Sequence, residues 1–323
     1  MSTPNYYLLF DHIKVQSANA ISSPITYGFP AISGFVGAIH ALSRKLSHKN
    51  VKLDGVMIAC HNYQIQTHQN STYSDRTFNQ TRNPLKKNGD TASIIEEGKI
   101  HLDISLVVEM YVDDEDLDFS LKHIKDDNQK SAVDFLEECK ELLWQQRVAG
   151  GSIIDIEKVH IFNRSEEEQI PFALVPAFVL VDAREKLSEL TQQLQKGISI
   201  NETEIIPPND DITTLDVLLE TATIHHIPNS PNALANEWET FSIKQGQGWL
   251  VPIPIGYQGI SPIFKAGEMK NCRTSEYPSQ YVETIYSLGK WVFPFNLTSN
   301  INEYFWRYTQ PDNNLYLFSQ GEK

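Results

Sequence analysis

Cysteine is scarce in this sequence. Cys60, Cys139 and Cys272 stand far apart and form no Cys-x-x-Cys pair. That spacing removes zinc-ribbon and thioredoxin-type chemistry and leaves reduced, buried thiols as the expectation. Long apolar runs are missing as well: the longest, IPFALVPAFVLV at 170–181, carries two prolines and falls short of the roughly 18–20 residues that span a bilayer. The opening MSTPNYYLLFDHIKVQ has no basic segment followed by an apolar stretch and a small-residue cleavage site. A cytoplasmic protein without a membrane partner is the expectation, and the Asn-x-Ser/Thr sequons, such as Asn79-Gln80-Thr81, are then chance matches. Enzyme signatures are absent too, with no phosphate-loop, His-Glu-x-x-His, Gly-x-Ser-x-Gly or EF-hand pattern, and the glycines at 28, 34 and 37 do not fit Gly-x-Gly-x-x-Gly. No cofactor is expected. What remains is a 323-residue chain with 41% hydrophobic content, enough to bury a core in one large or two smaller domains.

The net charge of −14 argues against a nucleic-acid partner until its distribution is considered. Residues 1–100 carry 10 Lys+Arg against 6 Asp+Glu, residues 101–245 carry 11 against 29, and residues 246–323 carry 6 of each. A locally basic region thus precedes a strongly acidic one. The run DDEDLD at 113–118 reads as a solvated loop, or as a docking surface for a basic partner chain.

Residues 6–16, rich in aromatic and branched side chains, predict a strand, as does GVMIACHNYQIQ at 55–66. Between them Phe35, Ile39, Leu42 and Leu46 recur at helical spacing after Ser33, a candidate N-cap, with Arg44 and Lys45 in the last turn. Leu102, Ile104, Leu106, Val108 and Met110 alternate as in a third strand. Ala132, Phe135, Leu136, Leu142 and Leu143 predict a second helix stopped by the glycines of RVAGGS, and SIIDIEKVHIF at 152–162 a fourth strand. The order strand, helix, strand, strand, helix, strand is the ferredoxin-like βαββαβ pattern that also underlies the RNA-recognition fold. The expected fold class is therefore α+β: a ferredoxin-like domain over 1–165 with a long basic loop at 67–95, and a less regular α+β part over 166–323 packed on it. In that second part a strand is expected at 172–181, helices near 182–195, 213–222 and 278–289, and an edge strand within GWLVPIPIGYQGISPIF.

The basic loop is the most suggestive stretch. Arg76, Arg82, Lys86 and Lys87 supply charge for phosphates, Phe78 can stack on a base, and Asn79, Gln80 and Asn83 can bond base edges. A solvated hairpin tip explains the same composition. Arg147 with Gly150 and Gly151 in RVAGGS offers a glycine turn to an RNA backbone or merely ends a helix, and Lys270, Asn271 and Arg273 form a weaker basic loop. His61, His101 and the pair His225-His226 could serve as a general base, but the sequence supplies no partner for any of them.

Four separated stretches, ANAISSPITYGFPAISGFVGAIHALSRKL, TRNPLKKNGDTASIIEEGKIHLDISL, RVAGGSI and GWLVPIPIGYQGISPIF, resemble one family: the RAMP-fold subunit that binds the 5′ handle of the guide RNA in the type I-F CRISPR surveillance complex, the Csy complex. The resemblance implies a non-catalytic, Cas five-type subunit that grips the crRNA 5′ handle, pairs with the large subunit, touches an adjacent backbone subunit and meets target DNA only through the assembled complex. It also implies that Asn19, Tyr27, Gly28 and Phe29 lie beside the handle, so that a bulky residue at Gly28 would weaken RNA retention without unfolding the chain. Two other readings remain open on the residues: a RAMP-type endoribonuclease that processes CRISPR RNA with one of the histidines, and an adaptor that touches protein alone through the acidic middle section.

Overall fold

A computed structural model describes residues 3–124, 130–200, 203–229, 237–272 and 274–321. Its frame is set by strands whose side chains are buried on both faces, so they read as continuous apolar runs rather than alternating ones. Tyr6, Leu8 and Phe10 point into one core layer and Tyr7 and Leu9 into another. Ten strands form one sheet: β1 (Tyr6–Asn19), β2 (Val51–Ile65), β3 (Lys99–Val112), β4 (Arg147–Val148), β5 (Gly151–Asn163), β6 (Phe178–Asp182), β7 (Trp249–Gly259), β8 (Val282–Val292), β9 (Arg307–Asp312) and β10 (Leu315–Ser319). Their spatial order is β9-β10-β7-β8-β6-β2-β3-β1-β5-β4, and every neighbouring pair is antiparallel. Six α-helices accompany the sheet among the described residues: α1 (Ser33–Lys45), α2 (Glu115–Lys122), α3 (Lys130–Trp144), α4 (Ile170–Ala173), α5 (Arg184–Gln195) and α6 (Thr214–Glu220). The architecture is mixed α/β, and no described helix is long and apolar enough to cross a membrane.

The layers follow from the apolar stripes. Helices α1 and α3 bury Phe35, Ile39, Leu42, Phe135, Cys139 and Leu143 against Phe10, Ile104, Leu106 and Val108 of the sheet, each large side chain contributing about 1.5–3 kcal/mol on leaving water. The opposite face, carrying Tyr7, Leu9, Met57 and Val107, is covered by Ile170, Leu174, Ile301 and Phe305. Helices α5 and α6 pack Leu190, Leu194, Val217 and Leu218 against Leu250 and Leu288.

One buried ion pair stitches distant parts of the sheet together. Arg307 on β9 donates from Nε and Nη2 to the two carboxylate oxygens of Glu109 on β3, at 2.9 and 2.7 Å. Its remaining hydrogens go to the carbonyls of Phe305, Gly321 and Asn302, so all five donors of the guanidinium have partners. Gly55 N–H also donates to Glu109, at 3.1 Å.

Several sequence expectations are corrected. Ser33 is the first helical residue rather than the N-cap, which is Ile32 without a side-chain cap. The acidic run is not a loop: Asp114 caps α2 by accepting from Leu117 N–H, the acidic first turn complements the helix dipole, and Leu117 and Leu121 are buried. Helix α3 ends at Trp144, before the glycines of RVAGGS. Ala149 and Gly150, with φ of 50° and 78°, instead make the two-residue turn between β4 and β5, a geometry that needs positive φ at both positions. Only Phe178–Asp182 of the expected strand at 172–181 is extended, because Pro171 sits near the start of α4. The helix expected at 278–289 is strand β8, paired with β7 and β6. Of the cysteines, Cys60 and Cys139 are buried while Cys272 is only half-buried.

Candidate nucleic-acid interface

The segment between β1 and α1 buries Ala20 and Ile32 in the α1-covered core and is tied down by its own backbone and hydroxyls. Gly28 N–H donates to Ala20 O at 2.8 Å, Ile21 bridges Tyr27, and Ser22 and Ser23 bond Thr26. Behind it opens a cleft of about 320 Å³ lined by Tyr27, Gly28, Phe29, Cys60, His61, Asn62, Tyr63, Ile65, Ile100, Phe178, Trp249, Val251 and Trp291. The two lining tryptophans, Trp249 and Trp291, are direct partners in the β7–β8 register.

The aromatic rings form a chain. Phe35 stacks on Phe29 at 5.3 Å, Phe29 meets Trp291 edge-on at 4.8 Å, and contacts continue through Trp249, Phe178, Phe293 and Phe295 to Phe172. Trp249, Phe178, Phe295 and Phe172 of this chain are exposed, as is Tyr27 outside it. Contiguous exposed rings of this kind mark a binding surface, since single-stranded bases and partner side chains both stack on them.

The structure joins a few of the residues singled out from sequence. Tyr27 packs edge-on against Phe78 at 5.6 Å. Asn79 is held by its backbone between Gln66 and Glu97 while its side chain is exposed. Asn19 N–H donates to Ala149 O at 2.9 Å, and Gly150 has the Asn19 Cβ as its neighbour. The basic loop is built from two hairpins, Thr67–His68 with Thr77–Phe78 and Gln80–Arg82 with Ile94–Glu96. Arg76 and Arg82 are exposed on them, and Lys86 and Lys87 occupy the exposed tip closed by Lys86 N–H to Asp90 O. Arg147 is exposed at the start of the β4–β5 hairpin, whose turn residue Ala149 accepts from Asn19 N–H. Lys270 lies on a separate exposed loop and joins none of these contacts; Arg273 lies outside the described residues.

The glycines divide by role. A side chain at Gly28 would enter open space, but its φ of +114° burdens any replacement with backbone strain. Loss of RNA on such a substitution would thus mix two causes, contrary to the simple expectation. Gly34, in the first turn of α1, would push a Cβ to 2.8 Å from Ala149 Cα. The permissive helix start therefore accommodates the chain's own hairpin. Gly151 is tighter still, with Val15 Cγ1 at 2.6 Å and Ala18 N at 2.7 Å from the added carbon. Gly151→Ala is expected to destabilise the fold by about 1–3 kcal/mol through overpacking, measurable by denaturant unfolding of the purified chain; an unchanged midpoint would contradict this packing.

Sequence reasoning missed Phe178, Tyr63, Trp249 and Trp291, which bound the cleft, and Lys290, whose stem crosses Gly248 with Cε 2.6 Å from an ideal Cβ there. Their separation along the chain hides them. Two glycines just before a tryptophan, in GQGW, were the one available signal. Burial shapes the remaining chemistry: it pushes the Cys60 thiol up to about 12, with Asp103 adding to the rise, and it holds His61 below the ordinary histidine value, with His12 as the second cause. Cys60 is thus no nucleophile at neutral pH.

The family model described as CRISPR-associated protein (Cas_Csy2) matches residues 8–318, and the CRISPR-associated protein Csy2 of Pseudomonas aeruginosa strain UCBPP-PA14 is 32% identical over 341 aligned positions, covering 99% of this chain and 96% of that relative. The chain belongs to the Csy2 family, and with it to the subunits of the type I-F Csy surveillance complex.

Proposed function

We propose that this subunit holds the 5′ handle of the crRNA in the type I-F complex, without catalysing a reaction, while it pairs with the large subunit and contacts the adjacent backbone subunit in the cytoplasm. Target DNA is then read by base pairing within the assembled complex. The observation that carries the reading is the convergence of Asn19, Tyr27, Gly28, Phe78 and the Ala149-Gly150 turn beside an aromatic cleft. Single-stranded RNA is recognised by stacking splayed bases on aromatic rings while basic side chains meet phosphates. The order β2-β3-β1-β5 with α1 and α3 on one face supports a ferredoxin-like, RAMP-type core over 1–165, with 166–323 extending its sheet.

The test is to purify the tagged subunit with the remaining complex from a host carrying a CRISPR array, crosslink, and sequence the bound RNA from its 5′ ends. One repeat-derived 5′ end crosslinked at Tyr27, Phe78 or Trp249 supports the reading. Partner proteins without RNA would favour the protein-only adaptor, and RNA with fresh internal ends, lost on changing His61, the endoribonuclease. A second expectation concerns charge: Arg76→Ala with Arg82→Ala should flatten the salt dependence of RNA affinity by about 1.4 in log–log slope, at about 0.7 per single-strand phosphate contact. An unchanged slope places the backbone elsewhere.

A further inference from the structure

His61 borders the cleft, yet its contacts lie on the other side of its strand. It is the extra residue of a bulge in β2, between Cys60 and Asn62, and His12 sits in a bulge of β1, between Phe10 and Ile13. Both strands flank β3. The two bulges bring the imidazoles face to face, with centroids 3.9 Å apart, and His12 adopts φ +47° to get there, a conformation an L-residue keeps only when its surroundings enforce it.

Hydrogen bonds fix the tautomer of each ring. Ser105 Oγ has a single hydrogen and lies 2.8 Å from Asp11 Oδ1, which can only accept when ionised. With that hydrogen committed, Ser105 Oγ accepts from His12 N–H at 3.1 Å and from His61 Nε2–H at 2.8 Å. His61 Nδ1 therefore carries a bare lone pair, and this buried atom has no hydrogen-bond partner. On the other ring, Nδ1–H of His12 donates to Asp103 Oδ1 at 2.9 Å, leaving Nε2 as its lone-pair nitrogen. A buried acceptor without a partner is costly, and a carboxylate backing one imidazole while a hydroxyl orients another is the outer arrangement of histidine metal sites.

We propose that Asp11, His12 and His61 form a site for a divalent transition metal of borderline softness, Zn²⁺ or a close relative, with Asp103 and Ser105 as positioning residues. One donor atom from each of the three lies within 4.8 Å of the others. Ligation at about 2.0–2.2 Å requires donors roughly 3.3–3.5 Å apart around a tetrahedral ion. Binding thus draws the three donors closer than the 4.8 Å within which the residues now offer them, the rings turning out of their stack, and leaves a fourth position to water. Two nitrogens and one carboxylate oxygen suit Zn²⁺ better than Mg²⁺ or Ca²⁺, which take oxygen ligands. A bound ion would clamp β1 to β2 across β3 at the two bulges.

The test uses the full chain, stripped with chelator and titrated with Zn²⁺ against a chromophoric competitor, with metal content measured after dialysis. One equivalent at submicromolar Kd is expected, weakened at least a hundredfold by His12→Ala or His61→Ala and about 10- to 100-fold by Asp103→Asn, while Cys272→Ser changes nothing. Long-range ¹H–¹⁵N spectra of the wild-type chain should show His61 Nδ1 and His12 Nε2 shifting on Zn²⁺ addition with both tautomers retained, a readout independent of whether an alanine variant folds. No stoichiometric binding, binding that survives loss of both histidines, or histidine spectra unmoved by Zn²⁺ would each overturn the site.

Discussion

Glu109→Ala is expected to destabilise the folded chain by about 3–5 kcal/mol, the cost of leaving a buried charge unpaired, against a total stability of about 5–15 kcal/mol for a typical protein. Glu109 and Arg307 are 2% and 7% exposed in their side chains, so water cannot replace the lost partner. Gly55 N–H would lose its acceptor at the same time. Arg307→Ala should be similarly severe, for it removes the guanidinium from a buried carboxylate and releases the carbonyls of Phe305, Asn302 and Gly321. Removing both charges with residues of similar volume, Glu109→Leu and Arg307→Met, should recover part of the loss, because apolar packing replaces an ion pair whose own desolvation is costly. Guanidinium unfolding followed by tryptophan fluorescence and circular dichroism checks the order. A double variant no better than the singles would show that the three carbonyls, rather than the charge, govern the cost.

Tyr27→Ala combined with Trp249→Ala should weaken binding of a crRNA 5′-handle oligonucleotide about five- to hundredfold for each base that stacks there, the equivalent of about 1–3 kcal/mol per base. Tyr27 is 72% and Trp249 50% exposed, so their truncation leaves the core largely intact, and the unfolding midpoint should hardly move. Phe29→Ala is the contrasting control. Phe29 is half-buried between Phe35 and Trp291, and its loss should lower stability as well as affinity. Fluorescence anisotropy at fixed ionic strength separates the two effects. Undiminished RNA affinity in the Tyr27/Trp249 double variant would remove the cleft from the RNA path and leave its rings to a protein partner.

The central strands were legible because burial on one face, or on both, leaves a dense apolar signature that needs no knowledge of the partner strand. The alternation of Leu102, Ile104, Leu106, Val108 and Met110 identified one face of β3. It was silent about Val107 and Glu109 on the other, whose burial depends on residues far downstream. Strand β8 was misread although Val282, Thr284, Tyr286 and Leu288 alternate as strand residues do; interspersed polar residues resembled an amphipathic helix. Of the candidate interface, the basic hairpins could be picked out from composition, whereas Tyr27 and Gly28 came from the family resemblance. The cleft could not, because Trp249 and Trp291 become neighbours only through the register of β7 on β8. For the same reason His12 and His61 gave no sign of each other: two bulges on separate strands determine their contact.

The pairing of Glu109 with a residue 198 positions later also sets an order of events during synthesis. At about 5–20 residues per second, a ribosome takes roughly 10–40 s to travel from the glutamate codon to its arginine. Throughout that interval the nascent sheet holds a carboxylate it cannot bury, and the layer containing Tyr7, Leu9 and Met57 lacks Ile301 and Phe305. That face of the amino-terminal strands is therefore completed only after residues 301–307 have been synthesised.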